Sequence, residues 1–296
     1  MGEKKHILLF YKFYLIENPQ KFRDWLLDEC NKLGIRGRIL VAEEGVNGSV
    51  SGNFEQTEKF KKILRSDSRF SDILFKEDLG VMHPFKKMVV KVKKVVLNFG
   101  VEINLKNTGN YLSPKEFLDI YDENNEDLII LDTRNEYESR VGKFKNAITP
   151  KIKTFREFPK FVKELEDKKD KKIVMYCTGG IRCEKASAYM KEQGFKDVSQ
   201  LHGGILTFGK EFPDSVWEGT CFVFDKRMTS DINSNSNSKP ISNCSLCGVK
   251  CDLYKDCANW RCDDFCVVCI DCEKGFGGCC SKGCFSEKVK TKMIER

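Results

Sequence analysis

Long apolar runs are missing from this chain. The stretch over residues 7–16 is interrupted by Lys12 and the other runs are equally short, which excludes a membrane span of the ~20 residues a bilayer requires. The opening Met1-Gly2-Glu3-Lys4-Lys5-His6 leads straight into a strand-like pattern, with no apolar stretch or small-residue cleavage site of a leader peptide, so a cytoplasmic protein is expected. Histidine is scarce. Three residues in 296, His6, His83 and His202, give poor support to an iron site built from two histidines and a carboxylate. No glycine-rich dinucleotide or flavin fingerprint follows a strand, so no organic cofactor is expected.

Cysteine is plentiful: there are fifteen, and apart from Cys30, Cys177, Cys183 and Cys221 all lie between Cys244 and Cys284. In a reducing compartment that density reads as metal binding or catalysis rather than disulfides. The formal charge of +7 is uneven, since residues 1–98 hold 19 Lys and Arg against 13 Asp and Glu. A basic first third suits a nucleic-acid partner, although a lysine excess is also what an ordinary solvated surface shows.

The first third alternates strand and helix patterns. Strands are expected over 7–13, 38–42, 49–51 and 88–97, with helices after Asn18-Pro19 and over 55–64. That order, β-α-β-β-α-β, predicts a ferredoxin-like α+β domain over residues 1–98. From about Leu112 the rhythm becomes α/β. Unbroken apolar runs at 128–131 and 173–176 read as strands buried on both faces, and 155–165, 183–193 and 205–210 as covering helices. A doubly wound, mostly parallel sheet is expected over 112–225. A Ser/Asn linker over 229–243 follows, with strict alternation at 233–238. A cysteine-rich segment over 244–285 comes next.

The second apolar run ends in Cys177-Thr178-Gly179-Gly180-Ile181-Arg182. A strand that delivers a cysteine into a glycine turn followed by a helix gathers backbone N–H groups and the positive helix end around one sulfur. Arg182 adds a full charge. Such surroundings lower a thiol pKa from about 8.5 into the range ~3.5 to 7.5, which makes Cys177 a candidate nucleophile in a cradle formed by Thr178, Gly179, Gly180 and Ile181. The competing chemistry is that of Cys-x5-Arg phosphatases. This loop is Cys-x4-Arg, and the shorter ring favours a sulfur substituent over a tetrahedral phosphate. Cys183, in the first turn of the following helix, suits two roles: resolving a persulfide as a disulfide, or packing beneath the loop.

At the cysteine-rich end, Cys244-x2-Cys247 and Cys269-x2-Cys272 have zinc-knuckle spacing, and Cys257-x4-Cys262 with Cys280-x3-Cys284 adds two pairs. Eight thiolates make two tetrahedral structural zinc sites. Cys251, Cys266 and Cys279 are alternative ligands, and an iron–sulfur cluster is the alternative metal group. On the strand expected at 88–97, Lys87, Lys91 and Lys93 share one face, ~6.6 Å between same-face neighbours, which suits tracking of a single-stranded nucleic-acid backbone. The same pattern also protects an edge strand from aggregation.

The run Tyr176-Cys177-Thr178-Gly179-Gly180-Ile181-Arg182-Cys183-Glu184-Lys185-Ala186-Ser187 resembles the signature of the rhodanese-type tRNA uridine hydroxylases, the TrhO family. Other matching stretches are residues 37–48, Asp132-Thr133-Arg134-Asn135-Glu136-Tyr137-Glu138, Leu201-His202-Gly203-Gly204-Ile205, Trp217-Glu218-Gly219 and Phe222-Val223-Phe224-Asp225. The resemblance spans nearly the whole chain outside the linker. It implies a rhodanese domain over 112–225 and an acylphosphatase-like first domain that binds tRNA. The implied activity is oxygen-dependent conversion of the wobble uridine, position 34, to 5-hydroxyuridine, with molecular oxygen as co-substrate. Cys177 would be the essential cysteine and persulfide carrier, supplied by a sulfur donor. Lys143 stands where His is common, Asn146 where Gly is common, and Cys251 and Cys266 are extra cysteines. Asn tolerates the left-handed conformation, so the turn at Asn146 is expected to survive. The alternative functions are a sulfurtransferase or persulfide carrier without tRNA hydroxylation, and a non-catalytic RNA-binding zinc protein.

Overall fold

The computed structural model describes residues 4–122, 127–233, 239–262 and 264–294. Part of the Ser/Asn alternation, at 234–238, lies outside the described residues. The first unit runs β1 (Lys5–Phe13), α1 (Pro19–Leu33), β2 (Arg36–Ala42), β3 (Gly45–Gly52), α2 (Phe54–Ser66), β4 (Phe75–Gly80) and β5 (Met88–Val92). Helix α1 starts where the Asn18 side chain accepts the Lys21 N–H at 2.9 Å and Pro19 sets the first turn; it stops at Gly34, which is left-handed at φ 68°. Its apolar face, Phe22, Leu26 and Cys30, joins Leu8, Phe10, Phe60 and Leu64 in the first core.

The sheet order is β4-β1-β3-β2-β5, and this corrects the expectation in one place. The last strand of the β-α-β-β-α-β unit is β4, paired antiparallel with β1, while residues 88–92 form a fifth strand parallel to β2 at the opposite edge. The expected strand over 88–97 also ends early. Val92 pairs with Val41, and β2 itself ends at Ala42, so little partner strand remains.

The second unit contains β6 (Asn110–Leu112), α3 (Pro114–Asp122), β7 (Leu128–Asp132), α4 (Glu136–Ser139), β8 (Gly142–Phe144), α5 (Phe158–Val162), β9 (Lys172–Tyr176), α6 (Ile181–Glu192), β10 (Asp197–Leu201) and α7 (Gly204–Glu211). Its sheet is parallel, in the order β6-β10-β9-β7. Ile173 and Met175 enter one apolar cluster with Cys183, Ala186 and Met190 of α6. Val174 and Tyr176 enter another with Phe117 of α3 and Ile205 and Phe208 of α7. Alternate side chains thus serve opposite faces, which is why β9 has no polar residue from Ile173 to its buried Tyr176. The helix expected over 155–165 is divided into a 3-10 turn at Phe155–Glu157, α5, and a further 3-10 stretch at Lys163–Lys168. Pro159 lacks the N–H that a continuous α-helix would bond to the carbonyl of Phe155.

Past α7 come β11 (Trp217–Gly219), β12 (Cys221–Phe222), β13 (Thr229–Ser230), β14 (Tyr254–Asp256), β15 (Phe265–Val267), α8 (Ile270–Gly275) and α9 (Lys282–Ile294). The start of the expected linker is folded: β13 pairs with β12, and Ile232 packs in the core under Gly209. The cysteine-rich segment docks on α4, where the Tyr254 hydroxyl donates to the Tyr137 carbonyl at 2.8 Å and the Ser242 hydroxyl to the Arg140 carbonyl at 2.6 Å. Among the described residues no helix is long and apolar enough to cross a membrane.

Candidate active site

Strand β9 ends at Tyr176, whose carbonyl accepts both the N–H and the hydroxyl of Thr133 at 2.9 and 3.0 Å. The chain then turns through Cys177 to Gly180 and enters α6. The carbonyl groups of Cys177 and Thr178 accept the N–H groups of Ile205 and Leu206 at 3.0 and 3.2 Å, so the start of α7 braces the turn. Gly204 must be glycine for that approach: at φ 67°, a Cβ there would lie 2.4 Å from the Cys177 carbonyl oxygen. Gly180 has φ 100°, and its N–H donates to the Cys177 sulfur at 3.0 Å.

Cys177 is 1% exposed. Burial opposes its ionisation, but the Cys183 thiol, the Arg182 charge and the backbone N–H groups of Arg182 and Gly179 outweigh burial and hold the Cys177 thiol well below its ordinary pKa. Cys183 moves the other way, pushed well above the usual thiol range by burial and by the neighbouring Cys177. The two shifts oppose each other, the surroundings favouring the ionised form at Cys177 and the neutral thiol at Cys183. The Cys183 sulfur also lies 3.6 Å from the Thr133 hydroxyl, beneath the loop.

Arg182 does not stand free beside the sulfur. Its guanidinium forms a two-pronged pair with Glu138 of α4, at 2.5 and 2.7 Å, with both side chains buried. Glu138 comes from the stretch Asp132–Glu138, whose role the sequence pattern alone did not expose.

The first unit forms the roof. A Cβ on Gly179 would lie 2.7 Å from Leu9, and one on Gly180 would lie 2.9 Å from the Tyr11 hydroxyl, both on β1. Tyr11 and Tyr111 each donate to Glu184 of α6 at 2.9 Å. Lys185 reaches back to Glu44 at 2.7 Å and to the Leu97 carbonyl at 2.9 Å, which ties the turn before β3 to α6. Lys76 of β4 is buried with its ammonium 4.3 Å from the centre of the Tyr11 ring, and burial pushes it down to about 8 against the pull of Cys177 and Glu184. Between roof and loop is a cavity of about 290 Å³ lined by Cys177, Arg182, Asn135, Tyr137, Leu97 and Phe224 among others.

Of the residues named from sequence, Cys177, Thr178, Gly179, Gly180, Ile181, Arg182 and Cys183 are brought together here. The lysines are not part of the cavity. All three are exposed; Lys91 alone lies on β5, and Lys87 and Lys93 flank its ends.

Two further clusters lie in the last segment. Cys244, Cys247, Cys269 and Cys272 form one, and Cys257, Cys262, Cys280 and Cys284 the other, with the four sulfurs of each within 4.8 Å of one another. Sulfur pairs stand 3.6 Å apart for Cys247–Cys269, 3.7 Å for Cys262–Cys280 and 3.5 Å for Cys280–Cys284. Four thiolates at the ~2.3 Å zinc–sulfur distance of a tetrahedron stand roughly 3.8 Å apart, so the donor sets fit such an ion. Cys251, Cys266 and Cys279 lie outside both groups.

Three family models match: a UPF0176 acylphosphatase-like domain over residues 5–96, a rhodanese-like domain over 113–211 and a rhodanese C-terminal region over 218–285. Proteins named tRNA uridine(34) hydroxylase from Streptococcus pyogenes serotypes M5 (strain Manfredo) and M1 are each 44% identical over 89% of this chain and 83% of their own. The chain belongs to the tRNA uridine(34) hydroxylase family. Among solved structures, a rhodanese-like domain protein from Staphylococcus aureus is 22% identical over 33% of this chain and 90% of its own, with a TM-score of 0.29. A rhodanese-related protein from Thermoplasma volcanium is 24% identical over 34% and 92%, with a TM-score of 0.30. Asn146, where the resemblance leads one to expect glycine, holds the left-handed conformation at φ 57°.

Proposed function

We propose that this chain hydroxylates C5 of the wobble uridine of tRNA with Cys177 as the essential thiolate and persulfide carrier: one atom of molecular oxygen enters the base and the other leaves as water, with two electrons and two protons taken from an external reductant. The observation that carries the reading is the junction of the two units. A thiolate stabilised by Cys183, Arg182 and backbone amides opens into a cavity roofed by the family's first domain, which a plain sulfurtransferase loop would not need. The named activity of the 44%-identical relatives supplies the substrate.

In this reading, residues 1–98 bind tRNA and residues 112–225 carry the reactive sulfur. Lys87, Lys91 and Lys93 hold backbone phosphates. Lys93 lies four residues before the cavity-lining Leu97, a reach of at most roughly 14 Å, so a strand held at the lysines extends to the cavity mouth. The two four-cysteine groups each hold a structural zinc ion, which ties the last segment together against α4. The site of action is the cytoplasm, where tRNA is found.

Nucleoside mass spectrometry of tRNA from cells with and without the protein tests the reading, with 5-hydroxyuridine at position 34 expected only in its presence. Unaltered nucleosides together with brisk thiosulfate turnover would favour the sulfurtransferase instead.

A further inference from the structure

The sheet of the first unit sends Leu8, Phe10, Ile39 and Val50 into the apolar core, and alternate residues of the same strands lie on its opposite face. On that face Leu9 and Tyr11 of β1 line the Cys177 cavity. The registers continue the row outward: Leu9 stands opposite Ser49 of β3, Ser49 opposite Arg38 of β2, and Arg38 opposite Val89 of β5. Arg38 therefore shares the face of the cavity-lining residues, and so does Arg36, two positions before it. Both are exposed, and among the described residues neither has an ion pair or a side-chain hydrogen bond. The other three arginines of residues 1–98 are engaged, Arg23 by Asp24, Arg65 by the Ile73 carbonyl and Arg69 by Asp67. Strands β2, β3 and β5 contain no Asp or Glu. The positive field is felt by the neighbouring His83, which bonds to the Ser51 hydroxyl at 3.0 Å and is held below the ordinary histidine range by burial and then by Arg36 and Lys5. Protection of a sheet edge does not account for these arginines, because β2 lies inside the sheet between β3 and β5. Like charges gathered without acids do not help the fold; they are the footprint of a polyanion partner, and the arginine fork matches phosphate.

We propose that the uncovered half of this sheet is the surface on which the anticodon loop lies, Arg38 holding the phosphate beside the nucleotide at the Cys177 cavity and Arg36 the next phosphate outward. The proposal rests on the uridine reading above and gives the RNA its path to the site. Two strand spacings separate Arg38 from Leu9 on the cavity wall, about 10 Å between backbones, which an arginine side chain and one nucleotide together span. Same-face neighbours on a strand stand ~6.6 Å apart, so the two guanidinium groups meet successive phosphates of an extended strand. Lys91 lies on the same face, opposite Leu40, which in turn stands opposite the cavity-lining Asn47. The arginines thus connect the lysines, which are not part of the cavity, to its rim.

The experiment measures equilibrium binding of anticodon stem-loops to the full-length wild type, Arg38→Gln, Arg38→Lys and Arg36→Gln. The stem-loops carry either natural phosphates throughout or one uncharged methylphosphonate, placed at each phosphate flanking the wobble nucleotide, at the next one outward on either side, or in the stem as a control. Arg38→Gln should weaken binding of the natural stem-loop by about tenfold to a hundredfold, with Arg38→Lys, which keeps the charge but not the fork, in between. One flanking methylphosphonate should cost the wild type a similar factor and Arg38→Gln almost nothing, because the two changes remove the same contact. Arg36→Gln should lose its sensitivity at the next phosphate outward instead, and the stem control should affect every protein alike. Melting temperatures should match, since neither arginine has a partner to lose in the free protein. Wild-type affinity in Arg38→Gln, or losses that simply multiply at every phosphate, would overturn the proposal even if the wild type hydroxylates tRNA. The expected coupling in a protein that yields no 5-hydroxyuridine would sustain the surface and remove the assigned reaction.

Discussion

Replacing Arg182 with alanine acts on two properties that the structure links. It takes a positive charge from beside the Cys177 sulfur, and it leaves the fully buried carboxylate of Glu138 facing Asn135 without its two-pronged partner. Breaking a buried ion pair from one side costs about 3–5 kcal/mol, a large share of the ~5–15 kcal/mol that holds a typical domain folded. The Cys177 pKa should rise, and each unit above the assay pH removes about nine-tenths of the remaining thiolate, 1.36 kcal/mol per unit. The stranded carboxylate pushes in the same direction. Replacing both partners, Arg182→Met with Glu138→Leu, removes the charge without stranding its mate, so stability should largely return while the thiol stays less acidic than in the wild type. Iodoacetamide rates at pH 6 should therefore rank wild type first, the double variant second and Arg182→Ala last. Guanidinium denaturation should place the double variant closer to the wild type. Unchanged alkylation in both variants would show that the backbone cradle alone stabilises the thiolate and would refute the role given to Arg182.

Three other expectations follow from the same geometry. Because Cys177 is depressed and Cys183 raised, the folded pair holds one proton where the unfolded chain holds two below the usual thiol pKa. Its contribution to stability should grow as pH rises from the low Cys177 value towards about 8.5 and decline above it; a stability–pH curve identical to that of a Cys177→Ser, Cys183→Ser variant would contradict this. Lys87→Gln, Lys91→Gln and Lys93→Gln combined should weaken tRNA binding and flatten its log–log salt slope by about 2, roughly twentyfold in relative affinity between 50 and 200 mM salt, while thiosulfate turnover persists; an unaltered slope would leave the lysines as edge protection. Metal analysis should find about two zinc ions in a colourless protein, and strong chelation should loosen the contacts of Tyr254 and Phe265 with Tyr137, detectable as faster hydrogen exchange in α4; iron with visible absorption would count against zinc.

The reactive loop was legible because its chemistry is contiguous: the cysteine, both glycines and the arginine fall within six residues of a strand–turn–helix pattern. The eight ligand cysteines were legible as spaced pairs, but their division into sites was not; the structure gathers Cys244, Cys247, Cys269 and Cys272 in one group and Cys257, Cys262, Cys280 and Cys284 in the other. Residues that complete the active site were not legible, since the cavity-lining Tyr11 and Asn135, and Glu138 beside Arg182, lie far from the loop in the chain and each looks ordinary in its own segment. Asn135 and Glu138 did lie in a recognisable stretch, but only the fold shows that one meets Arg182 and the other faces the cavity. Strand β4 escaped notice because Phe75-Lys76-Glu77-Asp78-Leu79-Gly80 is an edge strand rich in charge, with weak β-propensity, and its inward Lys76 reads from sequence as one more surface lysine.

The central claim is that hydroxylation of the wobble uridine depends on the Cys177 thiolate. Purified protein, wild type or Cys177→Ser, is incubated with tRNA lacking the modification and a thiol reductant as the two-electron donor under oxygen-18 gas, and the nucleosides are analysed by mass spectrometry. The account predicts oxygen-18 in 5-hydroxyuridine with the wild type and no product with Cys177→Ser, whose hydroxyl does not ionise at neutral pH. Labelled product at the wild-type level from Cys177→Ser, or oxygen-16 in the wild-type product, would contradict it.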